Sequence, residues 1–205
     1  MTKPLLLMDF DRTLFDTDAF FDALWRLVAD EYGGIDADHE KARKGSFLTY
    51  VGDLYDYAFH RHAADVLGDR YEEAALDALV KQRLSGKFLF DDATPEVIGT
   101  IDRIVTFGNE PYQRLKLSLC PEIEGIRTHI VHVPKGGFIA ELFDVPTILV
   151  DDKPIQSEIN PPARFIWLDR SATADVGSDD GFVAISSLRH LDQAIGQVSQ
   201  LIDKR

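Results

Sequence analysis

Cysteine is almost missing from this chain: Cys120 is the only one in 205 residues. A lone thiol excludes an internal disulfide framework and suits a reducing cytosol. Cys120 follows an apolar helical pattern, so a core thiol is expected rather than a nucleophile. Bases are scarce beside acids, 22 against 35, which gives a formal net charge of −13. That balance argues against a nucleic-acid or anionic-membrane surface as partner. It leaves room for an anionic small molecule, because local charge in a cleft decides that case. No apolar run approaches the roughly 18 residues of a membrane span. The N-terminal run is too short for a signal peptide, and Asp9 interrupts it. Repeats, low-complexity segments and long linkers are also lacking. The expectation is a soluble cytoplasmic protein with one α/β domain of about 120–150 residues and a smaller attached unit.

What is present begins with Leu5-Leu6-Leu7-Met8 running into Asp9-Phe10-Asp11-Arg12-Thr13. A short apolar run ending in acids reads as a strand buried on both faces that emerges at its carboxyl end. Residues two apart share a face, so Asp9 and Asp11 point together. Such close like charges need a cation between them or a proton on one. The plainer reading is a strand followed by an acid-rich turn.

From Asp16 to Lys87 no run looks like a strand, and the spacing is helical. Ala19, Phe20, Ala23, Leu24, Leu27 and Val28 follow an amphipathic rhythm that ends near Gly33-Gly34. Further helices are predicted over 38–43, 47–67 and 71–84. From Leu89 onward strands and helices alternate, with helices over 96–102, 110–119, 136–143 and 188–203. Strands are predicted over 104–107, 128–132, 147–150, 164–168 and 182–185. The fold class is therefore α/β: a doubly wound, parallel, Rossmann-like sheet (1–15 and 89–205) with an inserted α-helical domain (16–88). In such sheets ligands bind beyond the carboxyl ends of the strands.

The remaining polar residues fall at those ends. Thr106-Phe107-Gly108 offers a hydroxyl and free N–H groups to an oxyanion, though a simple helix cap reads the same way. Lys135 opens a helix at Lys135-Gly136-Gly137, where the helix dipole favours acids. Its place suggests an anion to be met, with a solvated lysine as the alternative. Thr147–Val150 runs into Asp151-Asp152, a second strand ending in paired acids. Carboxylates converging at one sheet edge call for a hard cation, and Mg²⁺ fits oxygen ligands.

In order and spacing, DFDRT, IVTFG, PKGG and ILVDDKP resemble the four motifs of the haloacid dehalogenase-like (HAD) hydrolase superfamily. The helical insert directly after the first motif is similar to that superfamily's helical-cap subclass, which acts mainly on small phosphorylated metabolites. The resemblance implies Asp9 as nucleophile forming an aspartyl-phosphate, and Asp11 as general acid and base. It implies Thr106, Phe107, Gly108 and Lys135 as the phosphate-binding set, with Lys135 also catalytic. Mg²⁺ would be bound by Asp9, the Asp11 main-chain carbonyl and Asp151, with Thr13 and Asp152 supporting. The chain departs from the pattern at the fourth motif, where Val150 precedes Asp151 in place of a common glycine. Dehalogenase members lack an acid two residues after the nucleophile, so Asp11 favours cleavage of a P–O bond.

The expectation is thus a Mg²⁺-dependent phosphomonoester hydrolase with a mobile cap, acting on a small phosphorylated metabolite. Its alternatives are a phosphomutase or phosphotransferase of the same fold, and a non-catalytic module binding a phosphorylated ligand. Oligomeric state is open. Lys116 rivals Lys135 but sits mid-helix, where a surface lysine is expected. His60 and His62 diverge on a helix and are expected to be solvated. His129 and His132 are expected in the core or at a strand end.

Overall fold

The computed structural model describes residues 3–51, 54–172, 176–179 and 182–202. They form two compact units. The first spans 1–15, 90–106 and 125–205, and the second 16–89 and 107–124.

The first unit is built on a seven-stranded sheet. Its strands are β1 (Leu5–Met8), β4 (Arg103–Phe107), β5 (Thr128–Val131), β6 (Thr147–Asp151), β7 (Arg164–Leu168), β8 (Val176–Asp179) and β9 (Phe182–Ile185). They lie in the order β5-β4-β1-β6-β7-β9-β8. Six of them run parallel, flanked by helices, and only β8 is antiparallel to its neighbour β9. The apolar run of β1 follows from that order, because the strand pairs with β4 on one side and β6 on the other. Leu6, Leu7 and Met8 are buried. Each such side chain contributes about 1.5–3 kcal/mol by leaving water. From β1 the chain moves outward to β4 and β5, then returns to the far side of β1 for β6, β7 and β9. The order therefore reverses at β1, and a doubly wound sheet opens its crevice at such a reversal.

Three helices of this unit accompany the sheet, α5 (Pro95–Ile98), α7 (Lys135–Leu142) and α8 (Leu191–Ile202), while α6 (Glu110–Ser118), which follows β4 in the chain, belongs to the second unit. Three differences from the sequence reading stand out. The helix expected over 96–102 is one turn, stopped at Gly99, with the Thr100 hydroxyl turned back onto the Val97 carbonyl. The helix expected from Leu188 begins as a 3₁₀ turn over Leu188–His190, and its Asp203 end lies outside the described residues. Strand β8 has no counterpart in that reading.

The second unit contains α1 (Thr17–Tyr32), α2 (Ala37–Arg43), α3 (Phe59–Leu67) and α4 (Glu73–Leu84), and α6 packs with α3 and α4. Asp16 caps α1 by accepting from the Ala19 N–H at 2.9 Å. Gly33, at φ +63°, ends it in a conformation that suits glycine. The helix expected over 47–67 is corrected. Its first half is an antiparallel hairpin, β2 (Leu48–Val51) with β3 (Leu54–Tyr57), in which Tyr50 faces Tyr55. Threonine, valine and tyrosines fit a pleated ribbon better than a helix, and Gly52-Asp53 between the two runs is a hairpin signal in the sequence. Among the described residues no helix is long and apolar enough to cross a membrane.

Candidate active site

The register of β1 with β6 brings the two acidic strand ends together. Met8 pairs with Val150, and the Asp9 N–H donates to the Val150 carbonyl at 2.9 Å. Asp9 and Asp151 thereby become neighbours although they lie far apart along the chain. Both are buried, and Lys135 lies between them. Its ammonium donates to Asp9 Oδ1 at 2.5 Å and to Asp151 Oδ2 at 2.6 Å. The Thr13 hydroxyl donates to the other Asp9 oxygen at 3.1 Å. The Lys153 N–H donates to Asp151 Oδ1 at 2.9 Å. Carboxylate oxygens of Asp9, Asp151 and Asp152 lie within 4.8 Å of one another. Trp167 fixes the strand end carrying Asp152 by donating from its indole to the Asp152 carbonyl at 3.0 Å.

Charge at this point is unbalanced. Three carboxylates face one ammonium, and Asp11 adds its field from the next turn. Burial raises the Asp9 carboxyl well above the ordinary range; Lys135 pulls it down, while Asp151, Asp152 and Asp11 push it further up. Burial and Asp151 likewise raise Asp152. Lys135 shows the complementary behaviour. Burial opposes its charge, but Asp151 and Asp9 outweigh burial and hold the ammonium above the usual lysine range. Oxygen donors with excess negative charge are what a hard divalent cation such as Mg²⁺ binds. The carboxylates of Asp9 and Asp151, with that of Asp152 beside them, fit that ion.

The chain leaves β1 through a tight turn. Arg12 has φ +59°, a left-handed conformation that costs a residue with a side chain about 1–2 kcal/mol. Hydrogen bonds hold it: the Arg12 N–H to the Phe15 carbonyl at 2.7 Å, and the Leu14 and Phe15 N–H groups to the Phe10 carbonyl. Phe10 stacks on Phe15 at 4.9 Å beneath the turn. Asp11 is half-buried in it.

Thr106 stands near the carboxyl end of β4. Its hydroxyl is fully buried and has no hydrogen-bond partner among the described residues, a costly state for a donor. Phe107 and Gly108 belong to the second unit, where the Phe107 carbonyl accepts from Gln113 Nε2 at 2.8 Å.

Lys135 is the first residue of α7, and the glycine after it explains how the helix comes so close. A Cβ on Gly136 would meet the Glu158 carbonyl oxygen at 2.2 Å, whereas one on Gly137 would meet nothing within 4 Å. Gly136→Ala is therefore expected to destabilise by about 1–3 kcal/mol and to displace Lys135. Gly137→Ala, on an exposed helical position, is expected to stabilise by roughly 0.5–1 kcal/mol. Denaturant unfolding of both variants checks the pair, and equal effects would contradict the packing.

In the second unit two expectations are corrected. Lys116 is buried, with its ammonium 4.8 Å from the Tyr112 ring centroid. His60 and His62 are buried as well. His62 stacks on Phe47 at 3.9 Å, its Nδ1 lies 2.8 Å from the Tyr57 hydroxyl and its Nε2 3.0 Å from buried Glu40. His60 Nε2 lies 2.9 Å from Asp77. Facing acids and aromatic partners, supplied by distant segments, offset the burial that spacing alone disfavoured. His129 is half-buried and His132 exposed. Cys120 is buried as expected, and burial pushes its thiol up to about 12.

Burial holds His62 below its ordinary 6.5, with Glu40 opposing. A base with a depressed folded pKa contributes stability that is present above 6.5 and lost as pH falls below it. Stability should therefore fall as pH drops below about 6.5, and His62→Phe should flatten part of that slope. Parallel slopes in urea unfolding would contradict the assignment.

No family model matches the chain, and no curated protein matches it. Solved structures do. A proposed haloacid dehalogenase-like hydrolase from Burkholderia xenovorans LB400 matches with a TM-score of 0.65 at 14% identity, covering 98% of each chain. The proposed HAD-hydrolase YfnB from Bacillus subtilis, bound to magnesium, matches with a TM-score of 0.59 at 17% identity, over 95% of this chain and 99% of that one. A 2-haloacid dehalogenase from Pseudomonas syringae pv. Tomato DC3000 gives 0.52 at 17%, over 95% and 99%. At these identities the likeness establishes the fold: the chain has the HAD-like hydrolase fold.

Proposed function

We propose that the chain is a Mg²⁺-dependent phosphomonoester hydrolase of small phosphorylated metabolites. One observation carries this reading: the Lys135 ammonium bridges buried carboxylates from the ends of two adjacent strands, Asp9 and Asp151. Binding alone would not require the acid at Asp11. A carboxylate held against a lysine, with a threonine hydroxyl on its second oxygen, is a positioned nucleophile.

In this reading an Asp9 oxygen attacks phosphorus and the ester P–O bond breaks, while Asp11 protonates the departing oxygen. Asp11 then takes a proton from water, whose oxygen attacks the aspartyl-phosphate, releasing phosphate and restoring Asp9. The Thr106 hydroxyl, unpartnered among the described residues, and the Lys135 ammonium hold the phosphoryl oxygens where negative charge gathers. Mg²⁺, held by Asp9, Asp151 and Asp152 with the Asp11 main-chain carbonyl, would supply neutralising charge at those oxygens. The magnesium bound to the fold relative YfnB is in keeping with this. The dehalogenase among the relatives raises C–halogen cleavage as a rival. Asp11 favours phosphate esters, because a halide leaves without a proton.

The test is phosphate release from a panel of sugar phosphates, nucleotides and phosphoglycolate-like compounds, with Mg²⁺ and with chelator. Release that stops on chelation is expected. No release from any member, or halide release from 2-haloacids instead, would overturn the reading.

A further inference from the structure

Behind the turn that follows β1 lies a second charged pair that neither the four motifs nor the proposed chemistry uses. Arg170, two residues past β7, donates from Nε to the Arg12 carbonyl at 3.1 Å and from Nη2 to the Thr13 carbonyl at 2.7 Å. The same guanidinium forms a two-pronged pair with Asp92, at 2.9 and 3.0 Å. It also lies 3.8 Å over the Phe90 ring. Asp92 is anchored in turn, accepting from the Ser187 hydroxyl at 2.7 Å and the Leu188 N–H at 2.9 Å. Burial alone would raise the Asp92 carboxyl, but these donors outweigh it and hold the group below its usual range, so it stays ionised opposite Arg170.

The two carbonyls that Arg170 grips flank the one strained position of the loop. Arg12 carries the left-handed φ, and Thr13 places its hydroxyl on Asp9. Asp11 lies immediately before them. The brace reaches across β6, since β7 is not a neighbour of β1 in the sheet. Four N–H directions in one plane are used at once, a geometry that lysine cannot reproduce.

We propose that Arg170, locked on Asp92, is a positioning residue for the nucleophile loop, holding the Arg12 and Thr13 carbonyls so that Thr13 stays on Asp9 and Asp11 keeps its place. Its effect on turnover rests on the hydrolase reading above; its effect on the loop does not.

The experiment compares the full chain with Arg170→Met, Arg170→Lys and Asp92→Asn, by steady-state kinetics and by hydrogen exchange. With p-nitrophenyl phosphate, kcat should fall about 100-fold while KM changes little, and lysine should rescue almost none of the loss. Exchange should quicken at the Arg12, Leu14 and Phe15 amides and stay slow in β6 and β7. If Arg170→Met fails to fold, Arg170→Lys carries the test. Unchanged loop exchange, quickening throughout the sheet, or full rescue by lysine would overturn the proposal. A wild-type chain that releases no phosphate defeats the hydrolase reading instead, and loop exchange still decides whether Arg170 holds the loop.

Discussion

Asp9→Asn is expected to lower phosphate release by roughly 10³-fold or more while leaving the fold in place. The size follows from the role: loss of a nucleophile removes the covalent route altogether, and such losses are among the largest that single substitutions produce. Asparagine keeps the shape of the side chain, its one carbonyl oxygen can accept from Lys135 or from Thr13, and Asp151 still pairs the ammonium, so the fold is expected to hold. Asp9→Glu should be nearly as inactive, since one extra methylene moves the attacking oxygen off line. Circular dichroism and kcat measured on the same samples check both variants. Substantial turnover by Asp9→Asn would show that the nucleophile lies elsewhere.

Lys135→Met is expected to cost both activity and stability. Lys135 is the only ammonium in direct contact with Asp9 and Asp151 among the described ion pairs, and all three groups are buried. Removing one member of a buried charged cluster leaves the others uncompensated, a loss of about 3–5 kcal/mol. A methionine fills much of the space, so packing contributes little to that figure. The unfolding midpoint in chelator should therefore fall well below that of the parent chain. Added Mg²⁺ should restore part of the loss, because the carboxylates then have a cation again. If the variant in chelator is as stable as the parent, the three groups do not act as a charged cluster.

These expectations rest on features unevenly legible in the sequence. The strand ends at Asp9 and Asp151 could be read because, in an α/β chain, a fully apolar run that stops at acids is most simply a buried strand reaching the sheet edge. The register of β1 against β6 then does the rest. Lys135 was legible for an electrostatic reason, as a cation at a helix start, where the dipole is unhelpful. What spacing could not reveal was pairing across distance. The helical rhythm around 47–67 hid a hairpin, because β-branched and aromatic residues pack acceptably in either form until partners choose. His62 looks exposed until Glu40 and Phe47, from other segments, close around it. Lys116 looks like a surface residue until the Tyr112 ring lies beside it. Arg170 and Asp92 carry no local pattern at all, since their meeting depends on β7 and β9 being placed first.

The central claim is that Asp9 becomes phosphorylated, and it can be measured directly. Asp11→Asn should slow removal of the phosphoryl group, so that chain, mixed with a good phosphate donor and Mg²⁺ and quenched in acid, should accumulate the intermediate. Mass spectrometry of its peptides should find the added phosphoryl group on Asp9. A phosphoryl group on any other residue, or turnover with none bound to the protein, would contradict the account.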